Sequence, residues 1–141
     1  MRAGWVSLGN LEDLYGPPIV VLDQNVAANG LADELSKAGL RVAKPPANYA
    51  VPDREIVGEA DRLGALILTR DRGPDFRVHP RALMLPKKLN VSDDNYGLVV
   101  GSVRFAVGLA DSLPDSPYTK PNSVYAAALH RIRDDFVREQ V

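Results

Sequence analysis

Cysteine is absent from this 141-residue chain, and histidine occurs only twice, as His79 and His130. Without cysteine there can be no disulfide bond and no thiolate ligand for zinc. Two histidines leave little material for an imidazole-based metal site or for a Ser-His-Asp triad. Metal-binding or catalytic chemistry in this chain is therefore expected from oxygen-bearing side chains.

Long apolar runs are also absent, since no stretch approaches the ~18 residues that a membrane-spanning helix needs. Residues 1–18 lack the continuous apolar segment of a secretory signal, and they carry Glu12 and Asp13. We therefore expect no membrane contact and a cytoplasmic location.

Neither sign of charge is in large excess, because 17 basic and 18 acidic residues give a formal net charge of −1. A protein that only coats nucleic acid is usually basic overall. If this chain meets nucleic acid, it needs a local basic patch or a metal ion to do so.

The length and the ordinary composition, 45% hydrophobic and 25% charged, predict one folded domain. Residues 1–18 read as an N-terminal lead-in that closes on Gly-Pro-Pro. Trp5, Val6 and Leu8 have the character to pack on the domain as an extra strand or as a cap. The domain itself covers residues 19–141, with an α/β part at 19–88 and a helical part at 95–141.

Four short apolar runs predict strands that are covered on both faces, because they do not alternate with polar residues. Helical patterns separate the first three runs and end at Gly39 and Gly64, where a helix C-terminal glycine belongs. The order of elements predicts a three-layer α/β/α fold with a central, mostly parallel sheet. The runs are residues 19–22, 40–43, 65–69 and 82–85.

The last third of the chain has apolar residues at helical spacing, over residues 98–110 and again over 124–136. Residues 113–117 break the pattern, and Asn122 or Ser123 is placed to cap the second helix. The apolar faces of these helices would be buried in the core or in a homodimer.

Acidic residues follow two of the predicted strands, and more of them lie close by in the expected fold. Asp23 follows the first strand and Asp71 the third; Asp53 opens the second helix, where it can also act as its N-cap, and Asp75 lies in the loop after Asp71. Carboxylates gathered at one sheet edge repel one another unless protons or a cation relieve them. Oxygen ligands select Mg²⁺ or Mn²⁺, which polarise phosphodiesters and activate water.

Three segments in order resemble the PIN-like nuclease superfamily, and most closely its small uncharacterised branch related to VapC-type toxins. They are IVVLDQN at residues 19–25, PDREIVGEA at 52–60 and ALILTRDRGPDF at 65–76. The match spans about residues 19–88, roughly half of the chain. The resemblance implies an α/β/α domain, a Mg²⁺- or Mn²⁺-dependent endoribonuclease that cleaves single-stranded RNA, and an antitoxin protein as partner.

By position, the resemblance makes Asp23, Asp53, Asp71 and Asp75 the catalytic and metal-binding acids. Two departures from the family pattern stand out. Three residues separate Asp71 from Asp75, where relatives have two or fewer, and Gln24 stands where many relatives have an acid.

Three further residues are supporting or alternative candidates. Asn25 matches the polar neighbour of the first acid, Glu55 competes with Asp53 on the same helical turn, and Thr69 with Arg70 would hold the loop or touch phosphate. Lys87 and Lys88, after the fourth strand, have the charge to steer an RNA backbone or simply to stay solvated.

Two other functions use the same residues. A receiver-like phospho-acceptor domain would need an acid after its first strand, a phosphorylated Asp71 and a later lysine, a role that Lys87 would take. A catalytically silent PIN-like module for binding or dimerisation would keep the fold without the chemistry. In that case Asp23 and Asp71 are turn residues and Asp53 is a helix cap.

Overall fold

The structure is a computed structural model that describes residues 4–13, 15–17, 19–27, 30–71, 73–87, 89, 91, 95–113 and 123–139, with side chains up to residue 135 in the last stretch. The expectations for Lys88, for Asn122 and for the break at residues 114–117 fall outside these ranges. Within them the fold is α/β, with a five-stranded mixed sheet and five α-helices.

All four predicted strands form, and a fifth comes from the N-terminal lead-in. The sheet order is β1-β3-β2-β4-β5, with β2–β3, β2–β4 and β4–β5 parallel and β1–β3 antiparallel. Of the two roles open to the lead-in, the extra strand is therefore the one observed. The strands are β1 (Val6–Leu8), β2 (Ile19–Leu22), β3 (Arg41–Lys44), β4 (Leu66–Thr69) and β5 (Ala82–Met84).

Four helices follow the predicted apolar spacing, and two short helical turns come in addition, one of them the 3-10 turn Gln24–Val26 directly after Asp23. A single helical turn, α3, begins at Pro74 inside the segment expected to be a loop, because proline is well suited to the first helical position. The helices are α1 (Leu31–Lys37), α2 (Asp53–Leu63), α3 (Pro74–Arg77), α4 (Tyr96–Ser112) and α5 (Ser123–Glu139). None of these helices, within the ranges given above, is long and apolar enough to cross a bilayer.

Alternate residues of the buried strands belong to two separate hydrophobic clusters, which explains their unbroken apolar runs. Val20 and Leu22 join a cluster completed by residues of α1, α4 and α5. Ile19 and Val21 join another, which includes Trp5 and residues of α2 and α3. Burial on both sides of β2 holds the sheet in place and fixes the direction in which its end points.

A buried arginine attaches the lead-in to the sheet. Arg41 is 8% exposed, and its guanidinium donates to the carbonyl oxygens of Asn10 at 2.7 Å, Asp13 at 2.5 Å and Pro17 at 2.5 Å. A side chain at Gly16 would place its Cβ 2.9 Å from the Arg41 Cζ, so the backbone passes directly over the guanidinium. The side chain of Arg41 thus ties three backbone carbonyl groups of the lead-in to β3.

The parallel pairing of β2 and β4 sets up the site. Leu22 lies opposite Leu68 in the register, and the N–H of Asp23 donates to the carbonyl of Leu68 at 3.0 Å. The residues that follow both strands therefore emerge at the same edge of the sheet.

Candidate metal centre

Three carboxylates from distant parts of the chain meet beyond the ends of β2 and β4. Asp23, Asp53 and Asp71 each offer an oxygen, and these oxygens all lie within 4.8 Å of one another. Among the residues that the structure describes, no other group of three or more acidic or histidine side chains meets this condition. The convergence expected from the sequence is observed for these three acids.

Asp23 is the buried member, with 5% of its surface exposed. Its Oδ2 accepts the Thr69 hydroxyl at 2.7 Å and the Asn25 amide at 3.2 Å, and its Oδ1 accepts the N–H of Gln24 at 2.8 Å. Burial raises the pKa of Asp23, while the Thr69 and Gln24 hydrogen bonds act in the opposite direction. These donors stabilise the charged carboxylate at a buried position, where burial by itself disfavours the charge.

Asp71 reaches the group through a tight turn. Its Oδ1 accepts the N–H of Gly73 at 2.8 Å, which forms an Asx turn. Such a turn is what we expect if Asp71 only shapes the loop. Its own N–H donates to the Thr69 hydroxyl oxygen at 2.9 Å, so Thr69 connects Asp71 with Asp23. The turn occupies one oxygen of Asp71 and is compatible with a ligand role for the carboxylate.

Asp53 is half-buried at the start of α2, and the expectation that it caps this helix is wrong. Pro52 is the N-cap, Asp53 is the first helical residue, and the cap residue makes no side-chain hydrogen bond. The pKa of Asp53 is raised, first by burial and then by the charges of Asp71, Asp23 and Asp75. Because its side chain is free of a capping role, it can face the other two acids.

No ion pair within the described ranges joins an arginine or lysine to any of these three carboxylates. The charge of Arg70 lowers the pKa of Asp23, although the two side chains form no ion pair. Its guanidinium instead donates to the carbonyls of Leu89 at 2.5 Å and Asn25 at 2.6 Å. The mutual repulsion of the acids is thus left for protons or a cation to relieve.

Gly73 lies against the acids with its backbone. A Cβ at this position would stand 3.1 Å from Oδ2 of Asp53 and 3.3 Å from Oδ1 of Asp71. The absence of a side chain therefore lets the loop after β4 come close to both carboxylates. The sequence-based interpretation did not single out this glycine.

Gln24 was noted only as a departure from an acidic position, but the structure gives it a definite task. Its Nε2 donates to the carbonyls of Pro46 and Tyr49, both at 2.6 Å, and its Oε1 accepts the N–H of Val51 at 2.8 Å. The amide thereby ties the turn after β2 to the loop that leads into α2. It sets the start of α2, and with it Asp53, relative to Asp23.

The remaining candidates surround the three acids. Asp75 is exposed in the first turn of α3 and stands outside the group, although its charge contributes to the raised pKa of Asp53. Glu55 also stands outside, and its Oε2 accepts the Tyr49 hydroxyl at 2.9 Å. Asn25 accepts the N–H of Arg70 at 3.1 Å and donates to Asp23, so it supports the turn.

Comparison of this chain with protein-family models, with curated proteins and with solved structures gives no match. What the site can do must therefore follow from its own chemistry. Three carboxylates with oxygen donors only, one of them buried and none ion-paired within the described ranges, form a donor set suited to a hard divalent cation.

Proposed function

We propose that this chain is a metal-dependent endoribonuclease that cleaves single-stranded RNA, with Asp23, Asp53 and Asp71 at its centre. The observation that carries this proposal is the approach of three carboxylate oxygens to within 4.8 Å of one another. Carboxylates repel one another, so their own charges oppose the convergence of these three acids from two strand ends and a helix start. A shared cation would stabilise this arrangement, because each carboxylate is attracted to the ion.

The three acids fit Mg²⁺ or Mn²⁺ by the chemistry of their atoms. They offer hard oxygen ligands, and no sulfur or imidazole stands among them. Asp23, Asp53 and Asp71 would hold the ion, and the charge of Asp75 would act on it from outside this group. When bound, such an ion supplies Lewis-acid polarisation of a phosphodiester and lowers the pKa of water.

The protein's own contribution is to keep these acids in position before any ligand arrives. Thr69 and Asn25 orient the Asp23 carboxylate, and Gln24 sets the helix that carries Asp53. Gly73 lets the loop after β4 pass close to the Asp53 and Asp71 carboxylates. Such preorganisation is the condition under which a charged site stabilises a transition state.

The choice of RNA as substrate rests on the ordered resemblance to PIN-like nucleases. With it we propose the three-layer α/β/α arrangement and a mostly parallel sheet. Three parallel strand pairings and two separate core clusters support this. A cytoplasmic location, an antitoxin partner and a homodimer are further parts of the same proposal. Exposed Leu98, Phe105 and Val124 on α4 and α5 offer apolar surface for such contacts.

The test is cleavage of a fluorescent single-stranded RNA by the wild-type protein and by Asp71→Asn, with Mn²⁺ and with EDTA. Asp111→Asn, an exposed acid on α4, is the matched control. We expect Mn²⁺-dependent cleavage by the wild type and the control. In Asp71→Asn the cleavage rate should fall by about a hundredfold, because residues of a metal site have effects of this size on activity. Asp71→Asn should also fold normally without metal, because it removes a repulsive charge.

Two results would overturn the proposal. Absence of both cleavage and Mn²⁺-induced stabilisation in the wild type would leave a silent binding module. Covalent labelling of Asp71 by a small phosphodonor such as acetyl phosphate would instead support a receiver-like domain.

A further inference from the structure

An exposed aromatic ring lies in the loop between β3 and α2. Tyr49 is 44% exposed, and its neighbours Ala47, Asn48 and Ala50 are exposed as well. Single exposed aromatic residues are common on protein surfaces. What such a residue can do therefore depends on where the fold places it and on how its ring is held.

The loop that carries Tyr49 belongs to the same edge of the sheet as the acids. β3 is parallel to β2, and β2 is parallel to β4, so the segments that follow these three strands all emerge at one edge. Asp23 and Asp71 follow β2 and β4, and the Tyr49 loop follows β3. The same loop leads into α2, which begins at Asp53. Tyr49 therefore borders the acidic group.

Two hydrogen bonds hold Tyr49 at both of its ends. Its backbone carbonyl accepts the side-chain amide of Gln24 at 2.6 Å, and Gln24 directly follows Asp23. Its hydroxyl donates to Oε2 of Glu55 at 2.9 Å, in the first turn of α2. The ring is thus fixed between the turn after β2 and the start of α2. A ring that is already fixed loses little freedom when a ligand packs on its exposed surface.

The other exposed aromatic residues in the described part of the chain lie elsewhere. Tyr15 is 97% exposed, but it precedes β2 and so lies at the opposite edge of the sheet from the acids. Phe105 is 59% exposed in the middle of α4. Of the exposed aromatic rings within the described ranges, that of Tyr49 is the one that shares an edge with the acids.

Positive charge is present at this edge too. Lys44 is the last residue of β3, and Arg54 is exposed in the first turn of α2. Single-stranded nucleic acid is bound by this combination, in which cations attract the phosphates and aromatic rings stack on the bases. A base in a duplex is already stacked between its neighbours, so an aromatic ring of this kind selects unpaired bases.

We propose that Tyr49 stacks on an unpaired base of single-stranded RNA and so holds an adjoining phosphodiester beside the acids. This inference rests on the proposed nuclease function, and it deepens that function by naming the part of the substrate that is bound next to the acidic group. Tyr49 is then a positioning residue for the substrate, and the acids remain the residues that act on the phosphodiester.

The experiment measures binding of a fluorescent ten-nucleotide single-stranded RNA to the full chain by anisotropy, in EDTA so that no metal-dependent cleavage occurs. The variants are Tyr49→Leu, which removes the ring, and Tyr49→Phe, which keeps the ring and removes only the hydrogen bond to Glu55. Tyr15→Leu is the control, because it removes an exposed ring from the opposite edge. The same RNA with abasic riboses, and the same RNA annealed to its complement, are the reference ligands.

We expect Tyr49→Leu to weaken binding of the single strand about fivefold or more, which is the size of the effect of losing one base-stacking contact. Tyr49→Phe and Tyr15→Leu should each change it less than about twofold. Abasic RNA and duplex RNA should bind equally to the wild type and to Tyr49→Leu, because neither offers a free base to the ring. In a cleavage assay with Mn²⁺, Tyr49→Leu should raise KM and leave kcat unchanged.

Equal losses in Tyr49→Phe and Tyr49→Leu would overturn the proposal, since they would assign the effect to the hydrogen bond with Glu55. An equal loss with abasic RNA, or no measurable binding of the single strand to the wild type, would overturn it as well. Circular dichroism of each variant ensures that folded proteins are compared. The binding pattern needs no metal and no turnover, so it can hold in a protein that fails to cleave RNA. Its own failure would leave the comparison of wild type with Asp71→Asn intact.

Discussion

The Thr69 hydroxyl donates a 2.7 Å hydrogen bond to Oδ2 of Asp23; Thr69 ends β4, and Asp23 directly follows the neighbouring parallel strand β2. Thr69 is fully buried, and its hydroxyl oxygen also accepts the N–H of Asp71 at 2.9 Å. One hydroxyl group therefore connects two of the three converging acids. Of the interactions that oppose the burial of Asp23, it has the largest effect on that residue's pKa.

Replacement of Thr69 by valine tests this connection, because it keeps the shape and removes the hydroxyl. We expect Thr69→Val to lose about 1–3 kcal/mol of the free energy of unfolding at neutral pH, since it leaves a buried carboxylate short of a donor. Urea denaturation measures this. Thr69→Ser, which keeps the hydroxyl, is the control, and equal stability of the two variants would contradict the assigned role.

Glu55 and Asp53 compete for the same place in the site, and the geometry favours Asp53. Asp53 belongs to the group of three acids, whereas Glu55 accepts a hydrogen bond from Tyr49. We expect Asp53→Asn to weaken Mn²⁺ binding by about ten- to a hundredfold and Glu55→Gln by much less. Calorimetric titration with Mn²⁺ decides, and a larger loss in Glu55→Gln would reassign the second acid.

Gln24 should prove to be a positioning residue for Asp53. Gln24→Glu keeps the size of the side chain but sets a carboxylate against the carbonyls of Pro46 and Tyr49 in place of an amide donor. We expect a loss of about 1–3 kcal/mol in stability and, in addition, weaker Mn²⁺ binding by the protein that remains folded. Stability and affinity are measured separately. A folded Gln24→Glu protein with wild-type Mn²⁺ affinity would limit the residue to a structural role.

His79 predicts a specific dependence of stability on pH. Burial, opposed by the Asp61 hydrogen bond, leaves its folded-state pKa below 6.5, the ordinary value for histidine. Between pH 6.5 and the folded-state pKa of His79, the unfolded chain binds a proton that the folded protein does not. The free energy of unfolding therefore falls as pH decreases from 6.5 through the folded-state pKa. The slope approaches about 1.4 kcal/mol per pH unit at most.

The measurement is denaturation of wild type and His79→Gln between pH 7 and pH 5, with His130→Gln as the matched loss of an exposed histidine. The readout is the slope, so a uniform loss of stability in His79→Gln does not affect it. A slope that is identical in wild type and His79→Gln would show that another group governs this window.

The pattern of apolar residues in the sequence predicted much of the fold. The apolar runs at residues 19–22 and 65–69 predicted central strands, and Gly64, at φ +63°, ends α2 where the pattern places it. These features are local, because a strand or helix end depends on neighbours within a few residues. The short helix at Pro74–Arg77 was missed, since one turn is too brief to show a period.

The site depended on both levels. Sequence position alone placed Asp23 and Asp71 after strands, and hence at one edge of any parallel sheet. It also offered a capping role for Asp53 that the structure does not support, because capping depends on where the helix begins, and it begins one residue earlier than a cap at Asp53 requires. No local signal marks Gln24 or Gly73, whose roles come from contacts with distant residues.

The amino-acid order by itself determined which segments form strands and helices and which acids stand at their ends, because burial and backbone preference act over short distances. Only the tertiary structure decided that three of those acids approach one another and that Gln24 spans from β2 to the loop before α2. Such meetings depend on how the strands pair and how the helices pack across the sheet, and these are set by the whole chain at once.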